Sequence, residues 1–198
     1  MKSIIRILLK ERLEGVSLDK KETFGSGMEH NVYASRQHPD RLYKMGREYM
    51  VNSWIKIFTE NPKIFPKVYR VIKSKRYSDT LIVEIEKLEI RQAEKDFKLV
   101  RDILSNFSRY EYNQEIRLQS IYILDSWGVK FVEFIKKFKE WLIKQKYNNP
   151  TIELCLKWTK MIYNIYGFLV NKYDYHERDL HAKNVAYDKA GNIKIIDI

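Results

Sequence analysis

HERDLHAKNVAYDKAGNIKIIDI, residues 176–198, joins a polar loop to a short hairpin. NVAYDKAGNIKIIDI reads as two brief strands around the turn Ala190-Gly191-Asn192, a residue combination that favours chain reversal. Such a hairpin returns Asp197 to the neighbourhood of Asn184, and Asp179 stands in the loop ahead of both. A loop carboxylate can accept a proton from an attacking hydroxyl. An Asn amide oxygen and a second carboxylate are hard ligands, suited to Mg²⁺ that bridges phosphates.

Moving toward the N-terminus, the pattern is helical as far as Arg91. A helix from Pro150 to about Val170 would bury Leu154, Trp158, Met161, Ile165 and Leu169, which recur at helical spacing. Phe131, Ile135, Phe138 and Leu142 predict a second helix, and Ala93, Phe97, Val100 and Leu104 a third. Before Glu89 the chain reads differently. KETFGSGMEHNVYAS is strand, glycine turn, strand; RLYKM, FPKVYRVI and TLIVEIEKL are further strands. One helix interrupts them, from about Arg47 to Thr59, stopped by Asn61-Pro62. Strands and helices segregate without sustained alternation, so the fold class is α+β, with a boundary near Glu89 to Gln92.

The 198 residues are 44% hydrophobic and 14% aromatic, enough for a core and for one domain of two small lobes. No run of about 20 apolar residues exists, which predicts no membrane span. MKSIIRILLKERLEG is too charged beyond Leu9 for a signal peptide, and reads as a helix with Ile4, Ile5, Leu8 and Leu9 docked on the domain. A membrane-surface helix is the alternative. Cys155 is the single cysteine, so no intrachain disulfide forms, and a packed thiol in a cytoplasmic protein is expected. The net charge of +11 attracts polyanions, but lysines in runs such as KKFKEWLIKQK fall on solvated helix faces.

The β-rich half carries its own chemistry-bearing residues. Gly25-Ser26-Gly27 is followed by Val32, then by Lys44 inside the apolar strand RLYKM, then by Glu48 at the opening of a helix, then by LIVEIEKLE. Together with Asp179, Asn184 and Asp197, these occur in an order that resembles the protein-kinase-like superfamily over nearly the whole chain. His181, two residues after Asp179, is similar to the aminoglycoside-phosphotransferase and other atypical branches. The resemblance implies a two-lobed kinase-like fold, with a β-rich lobe over 1–90 and a minimal helical lobe over 91–198. It implies that Gly25, Ser26 and Gly27 cover ATP phosphates and that Val32 roofs the adenine. Lys44 would hold the α- and β-phosphates, with Glu48 as its ion-pair partner and Glu60 as the alternative. Ile85 would face the nucleotide, and the backbone from Glu86 to Leu88 would read the adenine edge. Asp179 would be the general base or orienter of the acceptor hydroxyl, with Asn184 and Asp197 on Mg²⁺. His181 or Lys183 would approach the γ-phosphate.

The sequence departs from the family at several points. His30 stands where a third glycine is usual, and Glu177 where protein kinases have His, with His176 displaced by one. Asp197 is followed only by Ile198, so the resemblance implies a lobe without the activation segment and later helices, completed by self-association or by a partner. The expected function is transfer of the ATP γ-phosphate to a hydroxyl of a protein or small molecule. The alternative is a nucleotide-binding pseudokinase module without turnover. A nucleic-acid partner is less supported, because YRVIKSKRYSD is the one short stretch that interleaves aromatic and basic residues.

Overall fold

Period-two apolar patterning in the first half forms one sheet, and period-3.6 patterning in the second forms three long helices. The computed structural model describes residues 18–26, 31–35, 38–73, 78–118, 121, 124, 128–173 and 182–196. The expected N-terminal helix, Gly27, His30, His176, Glu177, Asp179, His181 and Asp197 lie outside the described residues. The fold is α+β and the chain falls into two compact units, residues 1–88 and 89–198.

In the first unit, β1 (Leu18–Ser26), β2 (Asn31–Ser35), β3 (Arg41–Arg47), β4 (Val68–Lys73) and β5 (Thr80–Glu86) form a five-stranded antiparallel sheet. Its order is β1-β2-β3-β5-β4. Helix α1 (Glu48–Glu60) follows β3 directly and ends at Asn61-Pro62, as a proline stop requires. Its first N–H, on Glu48, is satisfied by the Asp79 carbonyl at 2.6 Å, so the strand-to-helix corner is capped by the chain entering β5. Val51, Trp54 and Phe58 form its buried face, and Phe58 stacks on Phe65.

Strand β5 departs from simple alternation, because Leu81, Ile82, Val83, Glu84 and Ile85 are all buried. Both faces of the sheet are covered there. Glu84, only 1% exposed, accepts from Arg70 Nε at 2.6 Å, from Arg41 at 3.2 Å and from the Tyr43 hydroxyl at 3.2 Å. Two guanidiniums and a phenol thus compensate a carboxylate taken out of water.

The second unit contains α2 (Ile90–Tyr112), α3 (Phe131–Lys144), α4 (Asn149–Tyr173) and a hairpin of β6 (Val185–Tyr187) and β7 (Ile193–Ile195). Glu89 caps α2 by accepting from the Gln92 N–H, and Asn113 closes it in a left-handed conformation. Asn148 caps α4 through the Thr151 N–H at 2.9 Å. Ala93, Phe97, Val100 and Leu104 are buried along α2.

The expected stripes of α3 and α4 are corrected in phase. On α3 the buried residues are Phe134, Phe138, Trp141 and Leu142, while Phe131 and Ile135 lie at the margin. Phe131 instead stacks on Tyr163 of α4 at 3.7 Å between ring centroids, and Phe134 and Phe138 fill the space beside Phe107. On α4, Leu154 and Met161 are half-buried, and the core face is Ile152, Cys155, Trp158, Ile162, Ile165 and Leu169. No helix among the described residues is long and apolar enough to cross a membrane.

Two outcomes follow from the buried polar groups. Glu84→Ala strands two cations and is expected to destabilise the protein by about 3–5 kcal/mol, whereas Arg70→Ala removes a half-exposed partner and costs less; urea unfolding of both variants measures the contrast. Burial pushes the Cys155 thiol up to about 12, so a thiol reagent near neutral pH is expected to label it only when denaturant is added.

Candidate functional site

The sheet sets several of the chemistry-bearing positions in one line. Gly25 pairs with Val32, Val32 with Lys44, Lys44 with Val83, and Val83 with Val71. Directly opposed residues in antiparallel strands share a face, so the row runs across all five strands on one side of the sheet. Ser26 follows Gly25 at the end of β1, opposite Asn31. Ile85 pairs with Leu42, two residues before Lys44, and therefore lies on the same face as the lysine.

Lys44 is 3% exposed, and its ammonium lies 4.8 Å from the centroid of the Trp54 ring. A lysine so deeply held requires favourable electrostatic neighbours, of which an indole face is one. Trp54 comes to this position because it lies one turn after Val51 on the buried face of α1, level with the middle of β3. The same helix carries Glu48 at its first position, where an acid suits the positive end of the helix dipole. There the Glu48 carboxylate pairs with Lys73 at 3.2 Å. The β3–α1 corner therefore gives Lys44 and Glu48 different neighbours, Trp54 for the one and Lys73 for the other. Glu60, at the far end of α1, is exposed.

The segment after β5 is more committed than its sequence suggests. The Glu86 N–H donates to the Lys67 carbonyl and the Lys87 N–H to the Asp40 carbonyl, both at 2.9 Å. Any adenine contact from Glu86 to Leu88 must use groups other than these two donors.

In the second unit, Ala182–Asn184 form one turn of 3₁₀ helix leading into β6. The Ile196 N–H donates to the Asn184 carbonyl at 2.9 Å. The backbone of Ile196 is thereby fixed against that of Asn184. Among the described residues no group of three or more His, Cys, Asp and Glu is arranged to hold a metal. Lys183 is exposed and near Glu94, whose carboxyl is held below its ordinary value by Lys98 and more weakly by Lys183.

The hairpin turn is built by Asp188. Its carboxylate accepts from the Ala190 and Asn192 N–H groups at 2.9 and 2.8 Å and from the Asn192 amide at 3.0 Å. Gly191, at φ +77°, supplies the left-handed residue that the reversal needs. Burial alone would raise the Asp188 carboxyl, but the Asn192 side chain and N–H, the Ala190 N–H and the Lys194 ammonium outweigh it and hold the carboxyl below its usual range.

Sequence reading gave Trp158 only a place on a buried helix stripe and gave no role to Tyr187 or Asp96, yet these three converge. The Tyr187 hydroxyl donates to Asp96 at 2.7 Å and accepts from the Trp158 indole at 2.8 Å. The one signal was a carboxylate at Asp96, three residues after buried Ala93 and beside buried Phe97, at the margin of an apolar helix face.

No protein-family profile matches the chain, and no curated protein sequence matches it.

Because the folded Asp188 carboxyl titrates below its unfolded value of about 3.9, its stabilisation is present above that pH and is lost as pH falls through the folded value. The stability gap between wild type and Asp188→Ala is therefore expected to be full above about pH 4 and to shrink below it. Unfolding midpoints along an acid series measure this, and a gap independent of pH would contradict it.

Proposed function

We propose that the chain is an ATP-dependent phosphotransferase of the protein-kinase-like superfamily, in an atypical branch, acting on a hydroxyl of a protein or small molecule. The observation that carries the reading is the row Gly25–Val32–Lys44–Val83 across one sheet face. Phosphate binding calls for close backbone approach at a glycine, an apolar roof and an ammonium, and these share one line. The sheet-bearing unit is read as the N-terminal lobe and the helical unit as a small C-terminal lobe, in a cytoplasmic protein.

In this reading Lys44 neutralises charge on the α- and β-phosphates. Its burial strengthens that interaction, because little water screens it. The Trp54 ring limits where the ammonium can go. Asp179 orients the acceptor hydroxyl and takes its proton as the oxygen bonds to the γ-phosphorus; the bond from that phosphorus to the bridging oxygen breaks, and ADP leaves with the electron pair. An ordinary Asp, with a pKa near about 4, contributes chiefly by positioning, a factor of about 10² to 10⁴. Asn184 and Asp197 would hold Mg²⁺, which would supply charge neutralisation on the phosphates.

The test combines melting and transfer. ATP with Mg²⁺ at about 100 times its Kd is expected to stabilise the protein by about 2.7 kcal/mol, and Lys44→Ala to abolish most of that gain. Label from γ-labelled ATP is expected to reach an acceptor, with Asp179→Asn and Asp197→Asn lowering the rate by about 10² or more. No melting shift with ATP or ADP would refute the nucleotide site. A shift without transfer to any acceptor would leave a binding module.

A further inference from the structure

The β6–β7 hairpin is fastened to its own unit by more bonds than its three-residue strands provide. Tyr187 exchanges both backbone hydrogen bonds with Glu89, at 2.8 Å each, joining β6 to the start of α2. Its hydroxyl bridges Asp96 on α2 and Trp158 on α4. At the turn, Lys157 of α4 donates to the Gly191 carbonyl at 2.7 Å. Two helices therefore hold one hairpin at its strand and at its tip.

Tyr187 is central because its single hydroxyl reaches both helices. Trp158 is fully buried and its indole N–H has Tyr187 as its acceptor. Burial first, and then the Asp96 carboxylate, raise the phenol above its ordinary range, so it stays protonated and keeps donating. Asp96 is itself fixed by the Gln92 amide at 2.7 Å. The chain of bonds Gln92–Asp96–Tyr187–Trp158 leaves β6 little freedom to slide along α2 or rotate about its axis. Tyr187 pairs with Ile193 and Val185 with Ile195. Rotation of β6 would thus shift the Ile196–Asn184 contact that closes the hairpin.

We infer that Tyr187 is a positioning residue for divalent-cation binding: its hydroxyl, shared by Asp96 and Trp158, fixes the hairpin so that Asn184 and the residue preceding Asp197 stay side by side. The inference rests on the phosphotransferase reading, which assigns the cation to Asn184 and Asp197. It adds a residue that touches neither nucleotide nor metal and acts through backbone register.

The experiment measures two affinities on the full chain: Mn²⁺ by electron paramagnetic resonance in the presence of ADP, and metal-free ADP in EDTA by calorimetry. Tyr187→Phe is expected to weaken Mn²⁺ binding about tenfold, as loss of supporting contacts around ligands does, and to leave metal-free ADP affinity unchanged. Asp96→Asn, which keeps the shape and one acceptor oxygen, gives a smaller loss in the same direction and decides the matter if Tyr187→Phe does not fold. Ile103→Val, a modest core destabilisation elsewhere on α2, is expected to bind Mn²⁺ as wild type does. Wild-type Mn²⁺ affinity in Tyr187→Phe would overturn the positioning role while leaving the nucleotide site standing. So would equal losses of Mn²⁺ and ADP affinity, or an equal Mn²⁺ loss in Ile103→Val. A wild-type protein that binds neither Mn²⁺ nor ADP would overturn both the role and the reading beneath it.

Discussion

Strand β3 is paired on both edges and buried on both faces, and the order of the first unit follows from that. Leu42, Tyr43, Lys44 and Met45 are consecutive and all buried. Its neighbours β2 and β5 fix it residue for residue, from Arg41–Glu86 to Arg47–Thr80 on one side. A slip of one position would exchange the faces of every side chain. Lys44 would leave Trp54, and Tyr43 would leave Glu84. Two polar contacts on opposite faces therefore oppose the same error, in addition to the apolar packing around them.

The two buried charges differ in how they are accommodated. Glu84 lies in an ion network confined to the sheet, with Arg41 and Arg70 from the flanking strands and Tyr43 beside them. Arg41 in turn lies over the Tyr69 ring, with its guanidinium carbon 4.2 Å from the centroid. Such an arrangement stiffens β3, β4 and β5 against one another. Lys44, on the other face, is held against an aromatic ring of α1.

The legible parts of the chain were those set by local pattern. The strand–helix corner at Glu48, the stop at Asn61-Pro62 and the Ala190-Gly191-Asn192 reversal all follow from residues close in sequence. Helix phase was read less well. Phe131 and Phe134 are both aromatic and lie three apart, and only the stacking of Phe131 on Tyr163 decides which of them is central. The neighbour of Glu48 illustrates another limit. Its carboxylate opens α1 and meets Lys73 of β4. Which strand adjoins the start of a helix depends on the β3-β5-β4 order, which no local window contains. Glu84 was hidden for a related reason: alternation marks it as outward-facing, and only coverage of both sheet faces makes it a buried carboxylate.

The hairpin of the second unit combines both kinds of information. Its turn is local, since Asp188 gathers the N–H groups of Ala190 and Asn192 within five residues. A three-residue antiparallel pair of this kind has little stability alone. Its persistence depends on contacts distant in sequence: the Tyr187 hydroxyl meets a carboxylate 91 positions away and an indole 29 positions away. The local turn determines that Asn184 and Ile196 can meet, and the long-range bonds determine that they stay together. The position of Asn184 therefore depends on helices α2 and α4 as much as on the turn that Asp188 builds.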